Sequence, residues 1–346
     1  MGDYHVVIEY LLKHTTDLKI LKPPPITKKT LELGSKYSPD FVCVPFKYNL
    51  GNYIEALEKK ANVLVQAGGG CRFGYYGEIQ EQILRDLGYE FEFISLLNAD
   101  DITPHSLYKT FKRLNNRLSF IKFTYYFLLS ARMIVLMDKI DEYIRSNIGF
   151  EVEEGSFEKL KKEFLNELKK VKGFIHLFKI SKKYNKMFRN IEVEKPENPL
   201  KVGVVGELYV VMEPFSNYYI EKELAKKGMV VSRFITVTYL LFNHSKIKKY
   251  LMKNAGKYLK YEIGADGTDS VVRTKLLAEQ GYDGVVHVKP FGCIPEINAM
   301  PALQKISNDY KIPVLYFSFD SQTSETGIKT RLEAFHDMLS MRKEKR

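Results

Sequence analysis

The chain has 346 residues, 45% hydrophobic and 27% charged, a balance that excludes a disordered or fibrous protein and allows about two or three lobes with real cores. Its three cysteines lie far apart and cannot all pair, which excludes a disulfide scaffold and makes a reducing, cytoplasmic setting the expectation. No Lys/Arg-led apolar segment opens the chain, so no secretory signal is expected.

In chain order, residues 4–14 read as a helix and "DLKIL" (17–21) as a short strand. Pro23-Pro24-Pro25 breaks the chain, and Thr27 is placed to cap a helix through Tyr37. "PDFVCVP" (39–45) reads as a brief strand ending at Cys43, with Pro45 in the first turn of the next helix. "ANVLVQAGGG" (61–70) is a strand running into glycines. A helix follows from about Gly74 to Leu87, with Gly88 as its stop, and then the strand "YEFEFISL" (89–96).

Residues 106–190 change character: they hold no proline, few glycines and apolar residues at helical spacing. "FIKFTYYFLLSARMIVLM" (120–137) is interrupted by Lys122 and Arg132, so it reads as a buried helix and no membrane partner is expected. The formal net charge of the chain is +11, and residues 106–195 carry 20 Lys/Arg against 11 Asp/Glu, a net of +9. That face is either a solvated helix surface or a meeting place for nucleic acid, an acidic protein or a phosphorylated ligand. No zinc-finger spacing or RNA-binding aromatic signature is present, so nucleic acid is not expected.

After Pro196 and Pro199, strands and helices alternate again. "LKVGVVGEL", "MVVSRFITV", "DGVVHVKPFG" and "IPVLYFSFD" read as strands. "MEPFSNYYIEKELAKKG", basic residues 246–260, "GTDSVVRTKLLAEQG", the segment opened by Pro295 and Thr326–Met341 read as helices. The fold class is therefore α/β: two Rossmann-like parallel-sheet lobes with a helical segment between them. The expected division is 1–105 for the N-terminal lobe, 106–195 for the basic helical segment and 196–346 for the C-terminal lobe.

Cys43, Cys71 and Cys293 are each expected to follow an apolar strand and precede a helix. Cys43 and Cys293 share a Cys-x-Pro pattern, in which the proline opens the helix without wasting an N–H. A thiolate is favoured at a helix N-terminus. Three such thiolates suit a soft-metal centre, with an iron–sulfur cubane the natural choice; three buried apolar fillers is the open alternative. Glu296 is either an acid/base group or a helix-start carboxylate that complements the dipole. Asp320, at a strand end, is either functional or a loop cap. His287 reads as a hydrogen-bonded core histidine. "GVVGEL" (203–208) is too short for a dinucleotide fingerprint and is no P-loop, so ATP hydrolysis by this chain is not expected.

Four segments, "CVPFKYNLGNYIEAL" (43–57), "GGGCRFGYYGEIQEQILRDLGYEFEFI" (68–94), "GVVGELYVVMEPFSNYYIEKEL" (203–224) and "PFGCIPEINAMPALQKISNDYKIPVLYFSFDSQTSETGIKTRLEAFHDML" (290–339), together resemble the 2-hydroxyacyl-CoA dehydratase D-component family, in its "CoA protein activase"-type branch. Dehydratase and benzoyl-CoA reductase subunits are relatives. The resemblance covers most of residues 27–340 apart from the basic segment. It implies a [4Fe-4S] cluster between two lobes on Cys43, Cys71 and Cys293, with Gly69, Gly70 and Arg72 in the cluster loop. A salt bridge from Arg72 to Glu78 or Glu296 is the competing role. It also implies an ATP-dependent activator ATPase as electron donor, an acyl-CoA thioester as substrate, and a homo- or hetero-dimer. The alternative function is a non-catalytic electron relay or assembly accessory that docks with such an ATPase.

Overall fold

The computed structural model describes residues 2–66, 72–96, 104–240 and 244–345, without the side chains of Arg72, Phe73, Pro104 and residues 244–248. The chain divides into two compact units: Tyr4–Ser130, and Met1–Asp3 with Ala131–Arg346. The division falls inside one long helix of the 106–195 segment.

The Tyr4–Ser130 unit contains α1 (His5–Thr15), α2 (Lys28–Tyr37), α3 (Val44–Glu58), β1 (Val63–Gln66), α4 (Tyr76–Asp86), β2 (Glu92–Ser95), α5 (Pro104–Leu114) and the first part of α6 (Phe120–Asn147). Strands β1 and β2 pair in parallel, with Val63 opposite Glu92. Thr27 caps α2 as expected: its hydroxyl accepts from Thr30 N, while Thr30 Oγ1 accepts from Thr27 N, a reciprocal capping box. Helices α2 and α3 cross at glycines. A Cβ on Gly34 would lie 1.7 Å from the Lys47 carbonyl oxygen, and one on Gly51 1.9 Å from that of Thr30. Only backbone fits there. Phe46, Leu50, Ile54, Leu64, Tyr76 and Leu84 form the adjoining core.

Two expected strands do not form. "DLKIL" is irregular, with Leu18 and Leu21 exposed. The three prolines that follow it offer no N–H for a ladder. "PDFVCVP" is a turn closed by Val42 N donating to Pro39 O, and Phe41 is fully exposed. Apolar composition alone does not make a strand where no partner edge covers it. The first parallel sheet thus has two strands among the described residues.

The second unit holds the rest of α6, then α7 (Ser156–Leu168), α8 (Phe174–Arg189), β3 (Leu200–Gly206), α9 (Leu208–Met212), α10 (Ile220–Lys226), β4 (Met229–Arg233), α11 (His244–Ala255), α12 (Gly267–Glu279), β5 (Gly284–Pro290), α13 (Ile294–Tyr310), β6 (Val314–Phe319) and α14 (Glu325–Glu344). The four strands are parallel in the order β4-β3-β5-β6. Every residue of β5 is buried, which is why it reads as a near-continuous apolar run. The single helix expected over 212–227 is broken. Pro214 opens a 3-10 turn, and Tyr218 and Tyr219 take left-handed φ of 54° and 58° before α10 restarts.

Helix α6, extended to Phe150, is long and apolar enough to cross a membrane by length and composition. Its polar residues have protein partners in the second unit: Asp138 accepts from Thr238 N at 2.7 Å, and Arg145 lies 4.0 Å from Glu221.

Candidate functional site

In the second unit the strand order reverses between β3 and β5, and in open parallel sheets ligands gather at the carboxyl ends on either side of such a switch point. Strand β3 ends at Gly206, whose φ is +143°. A Cβ there would lie 1.8 Å from the Val288 carbonyl oxygen, so β3 closes against β5 only through glycine. Glu207 N then donates to Val288 O at 3.0 Å. The Glu207 carboxylate turns back to accept from Tyr209 N and Val210 N, each at 3.0 Å, and caps α9.

Three more elements bring charge to this edge. Asp266, just before α12, accepts from Leu208 N at 3.0 Å. His287 Nε2 and Glu296 Oε2, from β5 and the first turn of α13, are 2.6 Å apart and sealed from solvent. Lys289, also on β5, is buried as well. Burial pushes the Glu207 carboxyl up to about 7, because desolvation outweighs the two N–H bonds and Glu296 adds to it. Asp266 is raised well above the usual range by desolvation, then by Glu207 and Glu296. Lys289 is lowered by burial, against the opposing pull of Cys293 and Glu296.

Cys293 stands at the N-cap of α13 with Pro295 in the first turn, as the Cys-x-Pro pattern predicts. It follows β5 and a turn in which Cys293 N donates to Pro290 O. A Cβ on Gly267 would lie 2.6 Å from Pro295 O, so the starts of α12 and α13 abut. In the Tyr4–Ser130 unit, Cys43 is the N-cap of α3, again with proline in the first turn. It follows a turn, not the expected strand. Its sulfur shares a 3.0 Å hydrogen bond with the Tyr76 hydroxyl, and Tyr76 packs edge-on against Phe46. Both cysteines are half-buried, neither is in a disulfide, and neither side chain caps its helix.

Cys71, Gly69 and Gly70 lie outside the described residues, as does the side chain of Arg72. Among the described residues no set of three His, Cys, Asp or Glu is arranged to hold a metal ion. Asp320 accepts from Gln322 N at 2.8 Å and Thr323 Oγ1 at 3.0 Å, so its carboxylate serves its own turn. Glu296 is paired with His287 rather than lying open at the helix start. Glu207, Asp266 and Lys289 were not singled out by the sequence. Their signals were faint: an acid directly after the strand-ending Gly206, an acid inside "GADGT", and a lysine in an otherwise apolar strand.

The fold and these residues define an open parallel α/β protein with thiols at helix starts and a buried acid cluster at its switch point. The sequence profile of the family described as "2-hydroxyglutaryl-CoA dehydratase, D-component" matches residues 146–339, more than half of the chain, and the chain belongs to that family. The match includes Glu207, Asp266, His287, Cys293 and Glu296, and begins after Cys43 and Cys71. Comparison with curated proteins returns no match.

Proposed function

We propose that this chain is a dehydratase-type subunit whose Cys43, Cys71 and Cys293 hold a [4Fe-4S] cluster. The observation that carries the proposal is the matched setting of two cysteines far apart in sequence. Cys43 and Cys293 each sit at the N-cap of a proline-opened helix, and neither caps that helix with its side chain. Uncapped N–H groups and the helix dipole stabilise a thiolate and donate to inorganic sulfide. This donor set fits the cluster chemically. When bound, a cluster on three thiolates supplies one-electron chemistry and an iron open to a further ligand.

The chain's own residues support such a group. Tyr76 fixes Cys43 Sγ, and Lys289 brings a positive charge to Cys293. An ATP-hydrolysing activator is the proposed electron source and a CoA thioester the proposed substrate, in a cytoplasmic setting. The alternative, an electron relay without its own substrate, differs in one measurable respect.

Anaerobic reconstitution should load about four irons per chain with sulfide. Cys43→Ala, Cys71→Ala and Cys293→Ala should each lose most of that iron. Binding of zinc without sulfide, or undiminished iron in one of the variants, would sink the three-cysteine assignment. A change in the visible spectrum on adding an acyl-CoA thioester supports the enzyme. Reduction by the activator with no thioester response supports the relay.

A further inference from the structure

The acid cluster at the carboxyl ends of β3 and β5 has a property that the three-cysteine reading does not use. Glu207 and Glu296 are both at most 5% exposed, while Asp266 is half-buried and gives the group a way out to water. They come from three different segments and are held by backbone: Glu207 by Tyr209 N and Val210 N, Asp266 by Leu208 N. Glu296 has one oxygen on His287, while its Oε1 has no hydrogen-bond partner among the described residues. His287 Nδ1 has none either, nor has the Tyr316 hydroxyl, whose ring lies 5.5 Å from that of His287. Buried acceptors that lack donors are costly when charged.

The charges around the group come from every element packed on it. Asp269 on α12 adds another acid, itself paired to Arg273 at 3.6 Å and to the Tyr239 hydroxyl at 2.5 Å. Lys289 on β5 supplies one cation, divided between Glu296 and Cys293. Three neighbouring carboxylates thus face one histidine and one shared lysine. Like charges this close do not all ionise together.

We propose that Glu207 and Asp266, with the His287–Glu296 pair beside them, form a buried proton-binding site that holds at least one shared proton near neutral pH and exchanges it with solvent through Asp266. The ligand is the proton itself. The site gives this edge of the sheet an acid–base group, and it exists whether or not Cys293 binds iron.

Infrared difference spectroscopy of the full-length chain tests it, as purified and after anaerobic reconstitution. Ordinary carboxylates are ionised by about pH 6. A protonated carboxyl C=O band should persist at about pH 6 and bleach toward about pH 8. Glu207→Gln and Asp266→Asn should each reduce that band by at least about half, since the proton is shared. Asp320→Asn should leave it intact. Absence of the band in the folded parent protein overturns the proposal, with no variant needed. So does a band that survives unchanged in a folded Glu207→Gln or Asp266→Asn protein. Iron content is read on the same samples: a chain that shows the band but loads no iron retains this site and loses the cluster assignment.

Discussion

Glu207 shows how position overrides residue type. A glutamate that accepts two backbone N–H bonds at a helix start would normally be held acidic. Here burial wins and the group sits at about 7, above the unfolded value of about 4.3. The folded state therefore holds a proton that the unfolded chain has already released. Its stabilising contribution is complete below about pH 4 and is lost as pH rises through about 7. Urea unfolding at a series of pH values should show stability falling across that window, and Glu207→Gln should flatten the fall. An unchanged slope in the variant would mean that Glu207 is ionised throughout. Gly206 is the neighbouring constraint. Gly206→Ala places a Cβ against the Val288 carbonyl at a φ suited to glycine, and should cost about 3 kcal/mol or more in thermal or urea unfolding.

At the scale of elements, the helix that presents Cys43 is set by its neighbour. Helix α3 meets α2 through Gly34 and Gly51, where each backbone touches a carbonyl of the other helix. Gly51→Ala should force the helices apart and lower stability by about 2 kcal/mol or more. Reconstituted iron should fall with it, because Cys43 caps the displaced helix. Normal iron loading in a destabilised Gly51→Ala protein would show that Cys43 does not depend on this crossing. Thr27→Ala removes the hydroxyl that accepts from Thr30 N and should cost about 1 kcal/mol, read by chemical denaturation. The contrast is instructive: a cap is a local loss, whereas the glycine crossing is paid across two elements.

For the whole molecule, the two units have separate cores and separate sheets. The second unit carries the four-stranded sheet and the entire family match. A fragment of residues 131–346 should express as a soluble protein with a cooperative melt, weakened by the loss of the Asp3–Lys161 ion pair at 2.9 Å. Aggregation or a melt without cooperativity would show that this unit needs the rest of the chain.

Much was legible from residues alone because the signals were local. Thr27 as a cap, the prolines after Cys43 and Cys293, and the glycine after α4 each act within a few residues, and each marks a real boundary. The buried strands β3 and β5 read correctly because a parallel sheet covered on both faces leaves a continuous apolar run. "DLKIL" and "PDFVCVP" read as strands because composition does not say whether a partner edge exists. The acid cluster was invisible for a related reason. Glu207, Asp266 and Glu296 are widely separated along the chain, and nothing local links them. The order β4-β3-β5-β6 places their loops on one edge, and the Gly206 and Gly267 contacts close the backbone around them. Sequence by itself determined the α/β class, the helix starts and the thiols on them. Tertiary structure alone decided which carboxylates share one buried environment, because desolvation and mutual repulsion depend on distance in space.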